Sequence, residues 1–158
     1  MIGVMNGGNP LEVRVKTLIL YKEKEIAIIL LEDLAGSFGL PILAKASEVT
    51  AIFLFLEGKT PPRPLSHDLI ASVLDGLRAR PLNVLIDLLE EPICHGIISV
   101  ETEGKELDFD ARPSDAISLA LRTRVPIYVS PAVVRKGAVI FNRNDWAEGL
   151  ERKAKLQN

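Results

Sequence analysis

Strands come in groups in this chain, and each group runs into a helix. From Glu12, Val13, Val15, Thr17, Ile19 and Tyr21 alternate with Arg14, Lys16, Leu18 and Leu20, the period-two signature of a strand. A charged turn at Lys22 to Glu25 leads to a second strand at Ile26 to Leu31. A turn with two glycines, Asp33 to Gly39, leads to a third strand at Leu40 to Ala44. The second group is a strand at Asn83 to Leu89, then Ile93 to Glu101 and Lys105 to Ala111 as a hairpin around Thr102-Glu-Gly104. Consecutive strands joined by short turns pair antiparallel, whereas single strands alternating with helices build a parallel sheet. The expected fold is therefore α+β, a mixed and largely antiparallel sheet flanked by helices. The two groups suggest two related strand-strand-helix halves.

The helices carry the second constraint. Ser47 reads as an N-cap with Glu48 in the first turn, and the helix runs through Ala51-Ile-Phe-Leu-Phe-Leu56 to Gly58. Six consecutive apolar residues cover every face of a helix, so it must be enclosed by its own domain or by another subunit. A homodimer or larger homo-oligomer is the expected partner state. After the rigid connector Lys59-Thr-Pro-Pro-Arg-Pro64, Ser66 caps a second helix whose Leu69, Ile70, Val73, Leu74 and Leu77 read as a core stripe. Pro113 opens a third helix reaching about Arg122, and Pro126 to Ser130 and Pro131 to Gly137 give a last strand and a short helix. Asp145 reads as the cap of a C-terminal helix carrying Trp146 and Leu150.

At 158 residues the chain is expected to hold a leader at 1–10, one domain at 11–137 and a C-terminal extension at 138–158. Aromatic residues are only 5%, which leaves few rings for stacking on bases. The net charge of -2 means that any grip on nucleic acid must come from a local patch. The single Cys94 excludes an internal disulfide and a multi-cysteine zinc site. Met1 to Pro10 has no signal-peptide pattern, and the apolar runs fall well short of the ~20 residues that span a bilayer. A cytoplasmic protein without a membrane partner is expected.

Three segments taken in order carry a resemblance: Leu40-Pro-Ile42 leading to Glu48, Pro62-Arg-Pro-Leu-Ser-His-Asp-Leu69, and Asp110-Ala-Arg-Pro-Ser-Asp-Ala-Ile117. Together they resemble the bifunctional nuclease family, whose members carry L-P-I, then P-R-P-L-T-H-D, then R-P-S-D-A-I. Val125-Pro-Ile-Tyr-Val129 is similar to the family's closing apolar strand. The likeness runs from about Glu12 to Val134. It departs at Leu43-Ala-Lys45, where family members have W-I-G, and at Ser66, where they have Thr. The resemblance implies a mixed sheet flanked by helices, frequent oligomerisation, and the DNase and RNase activity of some members.

Phosphodiester hydrolysis needs an activated water, charge stabilisation at the phosphorus and help for the leaving oxygen, usually supplied by one or two divalent metals held by acidic side chains. The catalytic candidates are Asp68, Asp115, His67, Arg63 and Arg112, with Asp68, Asp110 and Asp115 as metal ligands for a cation such as Mg or Mn. Here His67 is the proton carrier, Arg63 and Arg112 are phosphate clamps, and nucleic acid is the partner. No Gly-rich phosphate loop, G-x-S-x-G elbow or HExxH motif is present, and no organic cofactor is expected. The alternative is a non-catalytic oligomeric regulatory or interaction module. In that reading Asp68 and Asp115 serve free N–H groups in the first turns of their helices, and Arg63 and Arg112 reach back to them. One of Glu48 and Glu57, which bracket the apolar helix, is then an ion-pair partner. The two readings differ in whether the aspartates converge on an open cleft.

Overall fold

The structure is a computed structural model that describes residues 8–90, 93–137 and 139–140. Most of the leader, the residues past 140 and the expected C-terminal helix with Trp146 lie outside the described residues. The first strand group is an antiparallel meander, β1 (Leu11–Tyr21), β2 (Ile26–Asp33) and β3 (Phe38–Lys45). A 3-10 turn (Ala46–Glu48) leads into α1 (Thr50–Leu56), and α2 (Ser66–Gly76) follows the proline connector. The second group repeats the meander as β4 (Arg80–Glu90), β5 (Ile93–Thr102) and β6 (Lys105–Ala111), and it leads into α3 (Pro113–Thr123). The chain continues through β7 (Ile127–Val129), α4 (Pro131–Gly137) and β8 (Val139–Ile140).

All strands join one sheet in the order β6-β5-β4-β7-β1-β2-β3-β8. The short β7 links the two meanders, running parallel to β4 and antiparallel to β1. It is the single parallel partner of the described sheet, so the expected α+β class and largely antiparallel pairing both hold. Each of the two expected halves has three strands before its helix instead of two.

The core lies between the sheet and α3. Ala27, Ile29 and Leu31 of β2, Val84 and Ile86 of β4, and Ala116, Ile117 and Ala120 of α3 are all buried in one cluster. The outer face of α3 is buried too, at Leu119, because α1 and α2 lie across it. α1 docks through Ala51 and Ile52, with Ile52 and the preceding Val49 in the main cluster. It stops at Gly58, whose φ of 63° suits the left-handed region, where a side chain is disfavoured.

Two expectations about the helices need correction. α2 buries no side chain: Leu69, Ile70, Val73 and Leu77 are exposed, and of its apolar residues only Ala71 and Leu74 are half-buried. Helical periodicity shows that a face needs cover, and it does not say which chain supplies the cover. The caps also shift. Ser47 sits inside the 3-10 turn, and α1 starts after Val49. At α2 the cap is Leu65, whose N–H donates to Asp68 at 2.7 Å, while Ser66 makes no cap bond.

Gly96 lets α3 sit close to β5. A Cβ added there would stand 2.6 Å from the Ala116 Cβ and 3.3 Å from the Arg112 carbonyl oxygen. Gly96→Ala should therefore destabilise the fold by about 1–3 kcal/mol, the usual cost of overpacking. Urea unfolding reads this directly, and an unchanged midpoint would contradict the close approach.

Candidate functional site

Three junctions, far apart in sequence, meet at one cleft. The first is the 3-10 turn after β3, which carries Glu48; its Oε2 accepts from the Lys45 N–H at 3.1 Å. The second is the start of α2, which carries His67. The third is the β6–α3 junction. Arg112 precedes Pro113 and is held extended, at φ -68° and ψ 148°, as residues before proline prefer. Pro113 takes the first helical position, where its missing N–H costs nothing, and places Asp115 in the first turn.

The side chains join into one network. Arg112 grips Asp115 with two donors, Nε to Oδ2 at 2.6 Å and Nη2 to Oδ1 at 3.0 Å. Its Nη1 donates to Glu48 Oε1 at 2.7 Å. The His67 Nε2 lies 3.1 Å from Asp115 Oδ1. These residues line an open cleft of about 400 Å³, together with Lys45, Ser47, Thr50, Ala51, Leu65 and Ser66. Burial pushes the Asp115 carboxyl up, but hydrogen bonds from Arg112 and His67 outweigh it and hold the group below the usual carboxylate range. The hydrogen bond and charge of Asp115, with those of Glu48, raise Arg112 above its ordinary value and keep it a cation.

The other candidates fall elsewhere. Asp68 does lie in the first turn of α2, but it turns to the α3 side and is absent from the cleft lining. Its Oδ1 accepts from Arg122 Nε at 2.5 Å, and Arg122 also donates to the carbonyls of Ser118 at 3.2 Å and Ala51 at 3.4 Å. Arg63, expected to reach Asp68, is exposed and outside the cleft; Arg122 takes that place. Asp110 is on β6, 80% exposed, where it meets His95 Nδ1 at 2.9 Å. The aspartates expected to share a metal thus do not gather. Among the described residues no group of three or more His, Cys, Asp or Glu is placed to hold an ion. At the cleft all four oxygens of Glu48 and Asp115 already accept hydrogen bonds. As arranged, this pair does not suit Mg or Mn, because a divalent cation would have to displace Arg112, whose guanidinium holds both carboxylates.

Lys45 and Arg122 went unrecognised in the sequence. Lys45 stands where the resemblance breaks, yet it lines the cleft. Arg122 is 54 residues from its partner Asp68, and nothing local to either residue signals the pair.

Four depressed carboxyls, Glu32, Asp33, Asp68 and Asp115, fix the sign of the acid response. Asp68 is raised by burial but lowered more by the Leu65 N–H and by Arg122, and Asp115 is lowered as described. A carboxyl lowered by folding adds stability above its unfolded value of about 4, and loses it as pH falls through the folded value. The urea midpoint should be flat from pH 7 to about 5, then fall steadily below about 4. A midpoint that holds at pH 3 would contradict these pairings.

No helix of the described residues is long and apolar enough to cross a membrane. A family model described as the bifunctional nuclease domain matches residues 29–142. Two uncharacterised proteins of Mycobacterium tuberculosis, from strains CDC 1551 / Oshkosh and ATCC 25618 / H37Rv, are each 35% identical to this chain over 130 residues. Those matches cover 82% of this chain and 77% of each relative.

Proposed function

The chain belongs to the bifunctional nuclease domain family, and from that premise we propose that the cleft cleaves phosphodiester bonds of nucleic acid. One observation carries the reading: Glu48, His67, Arg112 and Asp115, from three junctions, form a single network in one open cleft. Asp115 accepts from His67 Nε2–H, which leaves Nδ1 with its lone pair as a base. That nitrogen takes the proton of an attacking hydroxyl, from water or from the 2′-OH of RNA. The new O–P bond forms as the opposite P–O bond breaks, and the departing oxygen takes a proton from solvent. Arg112 uses three of its five N–H donors on Asp115 and Glu48. The other two serve the phosphate, on a side chain 60% exposed. Glu48 and Asp115 fix the plane of the guanidinium before the anion arrives. No step is routed through a metal, because the donor set does not fit one.

End-labelled RNA and DNA oligonucleotides, incubated with the protein in chelator or with Mg or Mn, test this. The net charge of -2 gives little long-range attraction, so cleavage should be slow and blind to sequence. It should persist in chelator and fall at least about 100-fold in His67→Ala, the lower bound for losing a general base. Cleavage only with added metal sinks the metal-free step. No cleavage in any buffer sinks the nuclease reading. It leaves a non-catalytic interaction module, which is favoured by the complete pairing of the cleft carboxylates.

A further inference from the structure

The cleft has a neighbour at the same end of the sheet. A second opening of about 430 Å³ lies between the β1–β2 turn and the 3-10 turn after β3, lined by Lys24, Glu25, Ile26, Lys45, Ala46 and Ser47. Lys45 and Ser47 line both openings, so the two meet at these residues. Backbone pairing builds the junction. Ile26 pairs with Lys45 at the end of the β2–β3 ladder, and the Ala46 N–H donates to the Glu25 carbonyl at 2.9 Å.

Lys45 is the cation of this junction. Arg112 already engages both cleft carboxylates, Asp115 and Glu48. Lys45 is exposed, and among the described residues no carboxylate pairs with its ammonium, which leaves three donors to serve a ligand. Its own N–H donates to Glu48 and fixes the backbone from which the side chain leaves. The family motif W-I-G has glycine where Lys45 stands, so the ammonium is a charge that the shared pattern lacks.

We propose that Lys45 holds a second phosphate of a nucleic-acid strand, next along the backbone from the one that Arg112 holds, and that the strand runs on into the second opening past Lys24. This rests on the proposed cleavage site and names its substrate class as an oligonucleotide, with a single phosphodiester as the poorer ligand. A strand repeats its negative charge at every residue, so a cation at the reacting phosphate leaves the next one to be met by another. The two positions call for different cations. The reacting phosphate needs the fixed plane of a guanidinium, whereas a neighbouring phosphate is held well enough by the point charge of an ammonium. The second opening sets Lys24 and Lys45 against Glu25 alone, a balance that favours an anion. Neither opening is lined by Phe, Tyr or Trp, so the grip falls on phosphates and not on stacked bases.

Binding of a labelled single-stranded hexanucleotide, followed by fluorescence anisotropy across a salt series, tests the proposal. A dinucleoside monophosphate, which has one phosphate, is the second probe and is read by displacement of the first. Both are measured in a His67→Ala background, so that strands stay intact. Lys45→Ala should weaken the hexanucleotide roughly tenfold, the lower end for a hydrogen bond to a charged group. It should also lower the salt slope by about 0.7, one phosphate contact on a single strand. The dinucleoside monophosphate should bind as before, and Lys45→Arg should restore the hexanucleotide. The side chain is exposed, so circular dichroism should be the same in all variants. Unchanged hexanucleotide binding in Lys45→Ala overturns the proposal, as does an equal loss for both probes or a protein that binds neither. Lys45-dependent binding by a wild type that never cuts would sink the nuclease reading and leave the subsite. Cleavage of long strands at the wild-type rate and affinity in Lys45→Ala would sink the subsite alone.

Discussion

Asp68→Ala should lower the stability of the fold by about 3 kcal/mol, the lower end of the range for breaking a buried ion pair. The partner left behind is Arg122, whose side chain is 9% exposed and cannot move into water without leaving α3. Its guanidinium would keep only the carbonyls of Ser118 and Ala51, at 3.2 and 3.4 Å, against a full charge. The Leu65 N–H, which caps α2 through Asp68, would lose its acceptor as well. The lower end applies because the Asp68 carboxylate is itself 31% exposed and partly screened. Asp68→Asn keeps the size and one acceptor, so it should cost less, and at a temperature where it is folded it should cleave near the wild-type rate. A loss under about 0.5 kcal/mol by urea unfolding, the scale of an exposed pair, would contradict the buried-bridge assignment.

The opposite pattern is expected at Asp115, whose carboxylate lies in the cleft. Asp115→Asn keeps the shape and can still accept through its amide oxygen, and its partner Arg112 is 60% exposed, so the loss of stability should be smaller than in Asp68→Ala. Cleavage should fall by about 10²–10⁴-fold, the usual worth of a positioned base. The amide no longer favours the His67 tautomer with its proton on Nε2, and Arg112 loses one of the two charges that fix it. The two aspartates occupy corresponding places after the two meanders, and the sequence treats them alike. The structure separates them: Asp68 turns to Arg122, and Asp115 lines the cleft.

That contrast shows what the sequence could carry. Strands were legible because period two and glycine turns are local signals, and His67, Arg112 and Asp115 stood out as candidates because motifs set off by proline mark helix starts. The direction of the α2 stripe was not, since Leu69 to Leu77 has the same periodicity whether the cover is α3 or another chain. Nor was the pairing of Asp68 with Arg122, because an ion pair 54 residues apart leaves no trace in spacing. The insertion of β7 between β4 and β1 is likewise a long-range pairing, encoded in no single segment. Lys45 was read as a departure from a motif, and its place on the cleft wall depends on a turn that brings β3 to α3.

The central claim is that His67 and Asp115 act as one unit on a phosphate held by Arg112. Single-turnover cleavage of one RNA oligonucleotide by wild type, His67→Ala, Asp115→Asn and the double variant tests it most directly. Residues that act together lose no more when both are removed. The double variant should therefore cleave about as slowly as His67→Ala alone, with all four proteins folded to the same extent by circular dichroism. Either single variant at the wild-type rate, or losses that multiply in the double variant, would contradict the account.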